Sequence, residues 1–294
     1  MRAINRYLVV GLLGGLLSAA AASAQEPATV GDKACNKCHS EVVANFKQSR
    51  HSKVEFFGLE SGGCESCHGP GAAHAKSKSP ADIKNPGKLK GEAASANCLG
   101  CHKDSATQKH WPGSEHESLG VGCVNCHSVH QNHPSMLKTL AEQDTCFTCH
   151  QEQRSAFMKR SAHPLRDVTH AGNVGKMACS SCHNPHGSQS EKLIAANSVN
   201  DLCYSCHQEK KAPVLWEHSA VKESCLTCHN PHGSNHEMML TAKEPRLCQQ
   251  CHEQGRHQTL TGQPNSFFVT NRGCSNCHAS VHGTNNPSGI KLKH

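Results

Sequence analysis

The cysteines of this 294-residue chain are spaced in a way that suits very few kinds of chemistry. All twenty lie in ten copies of one motif, Cys-x-x-Cys-His. On one helical turn, residues i, i+3 and i+4 share a face, so the two thiols and the imidazole of a copy point in one direction. This is the attachment signature of c-type haem, in which the thiols bond covalently to the porphyrin edge and the imidazole binds iron. The ten cysteine pairs are Cys35 and Cys38, Cys64 and Cys67, Cys98 and Cys101, Cys123 and Cys126, Cys146 and Cys149, Cys179 and Cys182, Cys203 and Cys206, Cys225 and Cys228, Cys248 and Cys251, and Cys274 and Cys277.

Zinc sites and dithiol redox sites are the two competing interpretations of these motifs. Structural zinc sites do not require a histidine directly after each second cysteine. Thioredoxin-type pairs occur in a βαβ context, which this chain lacks. Ten complete copies therefore favour ten covalently attached haems. The predicted proximal iron ligands are His39, His68, His102, His127, His150, His183, His207, His229, His252 and His278.

Fifteen further histidines could supply the second axial ligands, and two local patterns select ten of them. Five follow a motif after a short spacer, and five follow a motif after a longer one, three of these in a Ser-x-His context. The short-spaced histidines are His74, His130, His186, His232 and His282. The long-spaced histidines are His51, His116, His163, His218 and His257. Three choices stay open, because His110 competes with His116, His170 with His163, and His133 with His130.

The two kinds of histidine alternate with the motifs in the same order five times. This internal repetition predicts an elongated array of five dihaem repeats. Repeats 1 to 5 span about residues 35–74, 98–130, 146–186, 203–232 and 248–282. A three-residue spacer reaches only roughly 10 Å when fully extended. A short-spaced histidine such as His186 is therefore expected to serve a neighbouring iron and not that of His183.

Composition limits the elements that can hold these residues in place. Aromatic residues make up only 4% of the chain, so the porphyrins must supply much of the apolar surface of the core. Pro, Gly and Asn interrupt every stretch of the chain. We therefore expect a multihaem cytochrome c fold of short α-helices and long loops, with almost no β-structure.

The first 24 residues have the features of a secretory signal peptide: two arginines, an apolar run and Ala22-Ser23-Ala24. We expect residues 25–294 to form an exported, periplasmic decahaem cytochrome without a transmembrane segment of its own. Loss of Arg2 and Arg6 takes the formal charge from +7 to +5. Each ferric haem, with two propionates, contributes about −1, so the oxidised holoprotein is acidic and a nucleic-acid partner is not expected. The basic segment 76–90 is either a solvated loop or a docking patch.

The histidine count favours an electron carrier over an enzyme. Multihaem enzymes keep an iron with an exchangeable axial position, whereas here all ten motifs end in His and ten distal candidates exist. Methionine ligation would raise a haem's potential, but Met136, Met158, Met177, Met238 and Met239 stand at no fixed offset from the motifs. A multihaem reductase is the less favoured alternative.

Ten motifs, their pairing and the recurrent Asn-Pro-His-Gly at His186 and His232 resemble the MtrA/DmsE family of decahaem periplasmic cytochromes, which includes MtrA, MtoA and PioA-like members. The resemblance spans roughly Cys35 to His282. It implies an electron conduit that enters an outer-membrane β-barrel porin. Its partners would be an extracellular cytochrome and inner-membrane or periplasmic cytochromes. Electrons would flow outward to metals or inward from ferrous iron. A freely diffusing periplasmic shuttle is the alternative.

Overall fold

Short helices joined by loops make up the protein. The computed structural model describes residues 28–57, 63–165, 177–211, 213–253 and 273–293. Over these residues there are isolated β-bridges but no β-strand, so the predicted multihaem cytochrome fold is confirmed. The α-helices are α1 Asp32–Asn36, α2 Ser40–Gln48, α3 Glu65–His68, α4 Ala72–Ser77, α5 Gly91–His102, α6 Glu115–Ser118, α7 Cys123–Cys126, α8 Glu142–Phe147, α9 Gln151–Phe157, α10 Val199–Tyr204, α11 Ser219–Glu223 and α12 Arg246–Gln249. The 3₁₀ helices are Arg50–Phe57, Pro80–Asp82, Pro86–Lys88, Pro134–Met136, Cys179–Ser181, Glu191–Leu193, Gln208–Lys210, Cys225–Thr227, Glu237–Met239, Cys274–Asn276 and Gly289–Lys291.

Each haem motif closes one helical turn. The His39 N–H donates to the Cys35 carbonyl at 3.0 Å, and the same i→i+4 bond recurs at His183 with 2.9 Å. This bond places both thiols and the imidazole on one side of the turn. The local geometry needed for haem attachment is therefore a property of the motif itself.

A tight turn presents the short-spaced histidine of repeats 3 and 4. In Asn184-Pro185-His186-Gly187 the Gly187 N–H donates to the Asn184 carbonyl at 3.0 Å, and the Asn184 side chain accepts from the His186 N–H at 3.1 Å. Asn at the first position, Pro at the second and Gly at the fourth are the residues that type I turns favour. The same bonds form in the Asn-Pro-His-Gly turn around His232.

After the second motif of a repeat, the chain also folds back in a hairpin that contains two consecutive residues with positive φ. In repeat 3 these are Lys192 and Leu193, with φ of 55° and 56°. The hairpin is closed by the bond from the Asn184 N–H to the Leu193 carbonyl at 2.7 Å. Non-glycine residues in this region are strained and persist only where surrounding contacts hold them. Here the strained residues lie next to the proximal histidine His183: the Lys192 carbonyl contacts its ring, and Ile194 forms an isolated β-bridge with it.

Few side chains are buried within the described segments. The buried apolar residues are Val43, Ala94, Trp111, Ala141, Ala156, Leu193 and Leu292. A chain of this size would normally bury a large set of aliphatic side chains. The small core fits the expectation that bound porphyrins provide the missing apolar volume. No described helix is long and apolar enough to cross a bilayer.

Candidate haem-binding sites

Nine of the ten predicted proximal histidines lie beside a predicted distal histidine, with ring centroids 5.9 to 6.4 Å apart. In every pair the distal histidine follows a motif other than the one that contains its proximal partner. The pairs are His39 with His74, His102 with His51, His68 with His130, His150 with His116, His127 with His186, His207 with His163, His183 with His232, His252 with His218, and His229 with His282.

This separation fits one iron between two imidazoles. A metal–imidazole bond of about 2 Å on each side places two opposed ring centroids roughly 6 Å apart. In six of the pairs the two ring planes are also nearly parallel, with interplanar angles of 7° to 27°. The residues present are therefore suited to hold haem iron by two histidines.

The pairs link the repeats in two directions. Long-spaced histidines reach forward, as His116 of repeat 2 does to His150 of repeat 3. Short-spaced histidines reach backward, as His186 of repeat 3 does to His127 of repeat 2. His186 thus lies beside a neighbouring proximal histidine, the arrangement that its short spacer predicts. Neighbouring repeats are consequently joined by two crossed pairs.

The first repeat ends this pattern. His74, which has no earlier repeat to reach, lies beside His39 within its own repeat. At the other end the predicted ligand His257 lies outside the described residues, as does the competing candidate His170. His278 is the one predicted proximal histidine without a pair described above.

Backbone carbonyls fix the orientation of many of these rings. A carbonyl can only accept, so the Nδ1 atom facing it carries the proton and leaves Nε2 as the ligand atom. Four predicted distal rings donate in this way: His74 to Ser79, His116 to Pro185, His163 to Pro231 and His218 to Val281, at 2.8 to 3.1 Å. Five proximal rings do the same: His68 to Lys84, His127 to Ser135, His183 to Lys192, His229 to Met238 and His278 to Lys291, at 2.6 to 3.0 Å.

Burial lowers the pKa of four short-spaced histidines and so favours the neutral form that binds iron. Burial first, and then proximity to His127, lowers the pKa of His186. The pKa values of His130, His232 and His282 are also lowered, chiefly by burial. A neutral imidazole keeps its lone pair available for the metal.

The first cysteines of the two motifs in a repeat meet. The sulfur atoms of Cys146 and Cys179 lie within 4.8 Å of each other, together with a Glu142 oxygen. Hydrogen bonding to Cys123 raises the pKa of the Cys98 thiol, and the same bond lowers the pKa of Cys123 to about 6. Cysteines this close would attach the two haems of one repeat next to each other.

The second cysteines of neighbouring repeats lie near enough to interact electrostatically across the junctions. Burial, followed by the electrostatic interaction with Cys101 of repeat 2, raises the pKa of the Cys67 thiol in repeat 1. Cys182 of repeat 3 and Cys206 of repeat 4 interact in the same way. Along the chain, first cysteines therefore approach each other within a repeat, and second cysteines interact electrostatically across the junction to the next repeat.

Two sets of supporting residues were missed in the sequence. A polar residue three or four positions before the first motif of a repeat accepts hydrogen bonds at the start of the second motif. Asp32 accepts from the Cys64 N–H at 2.9 Å, Glu142 from the Ser180 N–H, and Asn200 from the Cys225 N–H at 2.9 Å. This is the action of a helix N-cap. A polar residue three or four positions before the motif was the available signal.

An aromatic residue from one repeat packs on the short-spaced histidine of the next. Phe46 contacts His130, Trp111 contacts His186 and Phe157 contacts His232, with centroids 5.6 to 6.4 Å apart. Each aromatic residue stands five or six positions before a long-spaced histidine. This spacing is visible in the sequence once the long-spaced histidines are known.

Some polar atoms near these sites have no protein partner. The Nε1 atom of Trp111 and the Oγ atom of Ser49 are buried without a hydrogen bond. Buried polar atoms of this kind normally have a partner. Haem propionates supply acceptors of the kind that they lack.

The competing ligand candidate His133 and the basic segment 76–90 both form hydrogen bonds with parts of the chain near the haem sites. His133 donates to the Leu137 carbonyl at 3.1 Å, and it is His130 that lies beside His68. In the basic segment 76–90, the Lys84 carbonyl accepts from the His68 ring at 2.8 Å. The segment therefore orients a proximal histidine, whichever of its two predicted surface roles applies.

Known proteins share the motif arrangement. The family model described as doubled CXXCH motif matches residues 116–155, 170–212 and 218–257, and that of cytochrome c554 and c-prime matches residues 71–128. The protein named multiheme cytochrome MtrA of Shewanella baltica (strain OS185) is 40% identical over 281 residues, 90% of this chain and 81% of that relative. The C-type polyheme cytochrome OmcB of Geobacter sulfurreducens is 27% identical over 61% of this chain and 25% of its own length. The cytochrome c-type protein NrfB of Escherichia coli O6:H1 is 30% identical over 40% of this chain and 66% of its own length.

Paired motifs, facing imidazoles and these similarities define the class of protein as a multihaem c-type cytochrome, which binds haem c covalently and transfers electrons. Within that class, the identity and coverage with the Shewanella protein assign the family. The chain belongs to the MtrA family of multihaem cytochromes.

Proposed function

We propose that the protein carries ten haems, each iron bound by two histidines, and passes electrons across the outer membrane within a porin–cytochrome complex. The observation that carries the proposal is the series of nine histidine pairs, eight of which join consecutive repeats. We assign the tenth iron to His257, which lies outside the described residues, and His278, since these are the two predicted ligands that the pattern leaves over. With this assignment the first and last repeats each supply both ligands of one iron, and all ten irons have two histidine ligands. Full ligation suits a carrier better than an enzyme.

Each bound haem supplies a one-electron ferric/ferrous couple. The chain attaches the haems in sequence, fixes the imidazole orientations through backbone carbonyls, and covers the rings with aromatic residues such as Trp111 and Phe157. Alternating cysteine contacts, as between Cys146 and Cys179, keep successive attachment sites adjacent. A continuous series of such sites is what electron transfer over a long distance requires.

The membrane role follows from the fold and the family. Loops and short helices leave backbone groups that lipid cannot satisfy, so a chain of this kind would cross a membrane only inside a protein sheath such as a β-barrel. We propose a periplasmic protein that inserts into an outer-membrane porin. An extracellular cytochrome would be its partner on one side, and an inner-membrane or periplasmic cytochrome its partner on the other. Electrons would follow this path outward in metal reduction, or inward in ferrous iron oxidation.

Isolation from native membranes tests the complex. The proposal expects the cytochrome to co-purify in mild detergent with a β-barrel protein, and the pair in liposomes to reduce an enclosed electron acceptor from outside. The cytochrome without the barrel serves as the control. Recovery only as a free periplasmic protein would favour the soluble shuttle, and turnover of a nitrogen or sulfur oxyanion by the pure protein would favour the reductase.

Removing one proposed distal ligand tests the pairing. His186→Ala is expected to convert one haem in ten to the high-spin form, observed by electron paramagnetic resonance. In a Cys123→Ala/Cys126→Ala background, which lacks the haem beside His127, the same change should create no high-spin haem. His236→Ala is the control, because its ring belongs to none of the nine pairs. A high-spin signal that disappears instead with Cys179→Ala/Cys182→Ala would assign His186 to the iron of His183 and contradict the pairing.

A further inference from the structure

One junction between repeats departs from the other three. At the junctions that follow repeats 2, 3 and 4, the long-spaced histidine donates to the carbonyl of the residue before the next short-spaced histidine. The acceptors are Pro185 for His116, Pro231 for His163 and Val281 for His218. At the junction of repeats 1 and 2, the Nδ1 atom of His51 lies 3.1 Å from the Sδ atom of Met136 instead.

The sequence of repeat 2 explains the difference. In the other junctions the short-spaced histidine is followed by a glycine with positive φ, as at Gly187 with 114° and Gly233 with 137°. A Cβ at Gly187 would lie 2.0 Å from the His110 carbonyl oxygen, and one at Gly233 would lie 2.2 Å from that of Ala156. Repeat 2 has Gln131 in this position. Its Cβ excludes the same close approach, so the segment carrying His51 cannot dock in the same way.

Met136 occupies a defined place in the repeat. Its carbonyl accepts from the Ser128 N–H at 2.8 Å, as the Leu193 carbonyl does from Asn184 and the Met239 carbonyl from Asn230. All three residues have φ between 52° and 56°. Only at Met136 does the side chain contact a predicted iron ligand among the described hydrogen bonds. If iron is bound through Nε2 of His51, the proton of the neutral ring stays on Nδ1, the atom that faces the sulfur.

We propose that Met136 tunes the haem attached at Cys98 and Cys101, giving it a higher reduction potential than the haems at the corresponding first motifs of repeats 3 to 5. A hydrogen-bond acceptor on the outer nitrogen makes an imidazole more basic and stabilises ferric iron. A thioether is a weak acceptor and a backbone carbonyl a strong one. The inference rests on the proposed binding of this iron by His51 and His102.

Two substitutions and the native residue at position 136 form a series of decreasing hydrogen-bond acceptor strength toward His51. Met136→Gln presents an amide oxygen, the native residue a sulfur atom, and Met136→Leu no acceptor. Leucine stands at the equivalent positions 193 and 292, so it suits this backbone. In a potentiometric titration followed by electron paramagnetic resonance, the reduced-to-oxidised ratio of one haem at fixed potential should fall roughly threefold or more in the glutamine variant and rise in the leucine variant. Gln131→Gly, which permits the close junction, should also lower the ratio.

Two controls separate the outcomes. His51→Ala should turn one haem high-spin and so identify the signal to be followed; if all haems stay low-spin, the ligation is wrong and the tuning inference falls with it. Met239→Leu, the matched change in repeat 4, should leave that signal unmoved. Equal potentials in native, Met136→Gln and Met136→Leu proteins would overturn the inference, as would an equal shift in Met239→Leu.

Discussion

Backbone carbonyls hold nine of the predicted ligand rings, so the orientation of the imidazoles is set by the chain conformation around them. His183, for example, donates to Lys192, whose own backbone lies in the strained positive-φ region. Strain of about 1–3 kcal/mol per such residue is found where a site must be held in one geometry. At the scale of single residues, local backbone strain therefore accompanies the fixed orientation of a ligand ring.

Trp111 gives a prediction at this scale. Trp111→Phe keeps a ring against His186 but removes the buried Nε1 donor, making repeat 2 resemble repeat 3, which has Phe157 there. If a haem propionate accepts from this donor, the variant should lose about 1–3 kcal/mol of holoprotein stability. Thermal unfolding measures the loss, with Trp216→Phe at a more exposed tryptophan as the control. A variant as stable as the native protein would show that the indole nitrogen has no acceptor in the holoprotein.

The junction between repeats depends on elements that approach closely through glycine. The Asn-Pro-His-Gly turn presents His186, and its glycine leaves room for the backbone of the preceding repeat to pack closely at His110. The turn therefore places one ligand and packs two repeats together at the same time. This double use explains why glycine follows the histidine wherever the close junction forms.

Gly187→Ala should disrupt this junction. The alanine Cβ would lie 2.0 Å from the backbone oxygen of His110, and φ of 114° is itself unfavourable for alanine. The clash involves backbone atoms on the side of His110, so a side-chain rotation cannot relieve it. A loss of at least roughly 1–3 kcal/mol is expected, together with a changed low-spin signal from the haem beside His127. Gly100→Ala is the control, since a Cβ there meets nothing within 4 Å. Equal unfolding temperatures for the two variants would contradict the proposed close packing.

On the scale of the whole molecule, the histidine pairs join only consecutive repeats, or close a repeat on itself. Proteins built in this way owe their stability to each repeat and its neighbours. The scarcity of buried apolar side chains in the described segments is what is expected of an array in which bound haems would supply most of the apolar core. Loss of one haem should therefore have effects that depend on its position.

Deleting a central and a terminal attachment site tests this dependence. Cys146→Ala/Cys149→Ala removes a haem from repeat 3 and should expose the junctions of repeats 2 and 3 to protease. Cys274→Ala/Cys277→Ala should expose only the last repeat, because metal binding and folding are coupled locally. Limited proteolysis with mass-spectrometric mapping of the cut sites measures the difference. Global unfolding in both variants would mean that the array folds as one cooperative unit.

The sequence by itself determined the haem chemistry, the fold class and a list of candidate ligands. It could do so because attachment needs only three residues on one helical turn, a relation that local spacing fixes. Tertiary structure decided which ring lies beside which, because the forward reach of His116 and the backward reach of His186 depend on how two repeats pack. It also decided the exception at His51, where one side chain in place of a glycine changes a close approach and leaves sulfur as the nearest acceptor. Such contacts join residues far apart in the chain, and no local pattern encodes them.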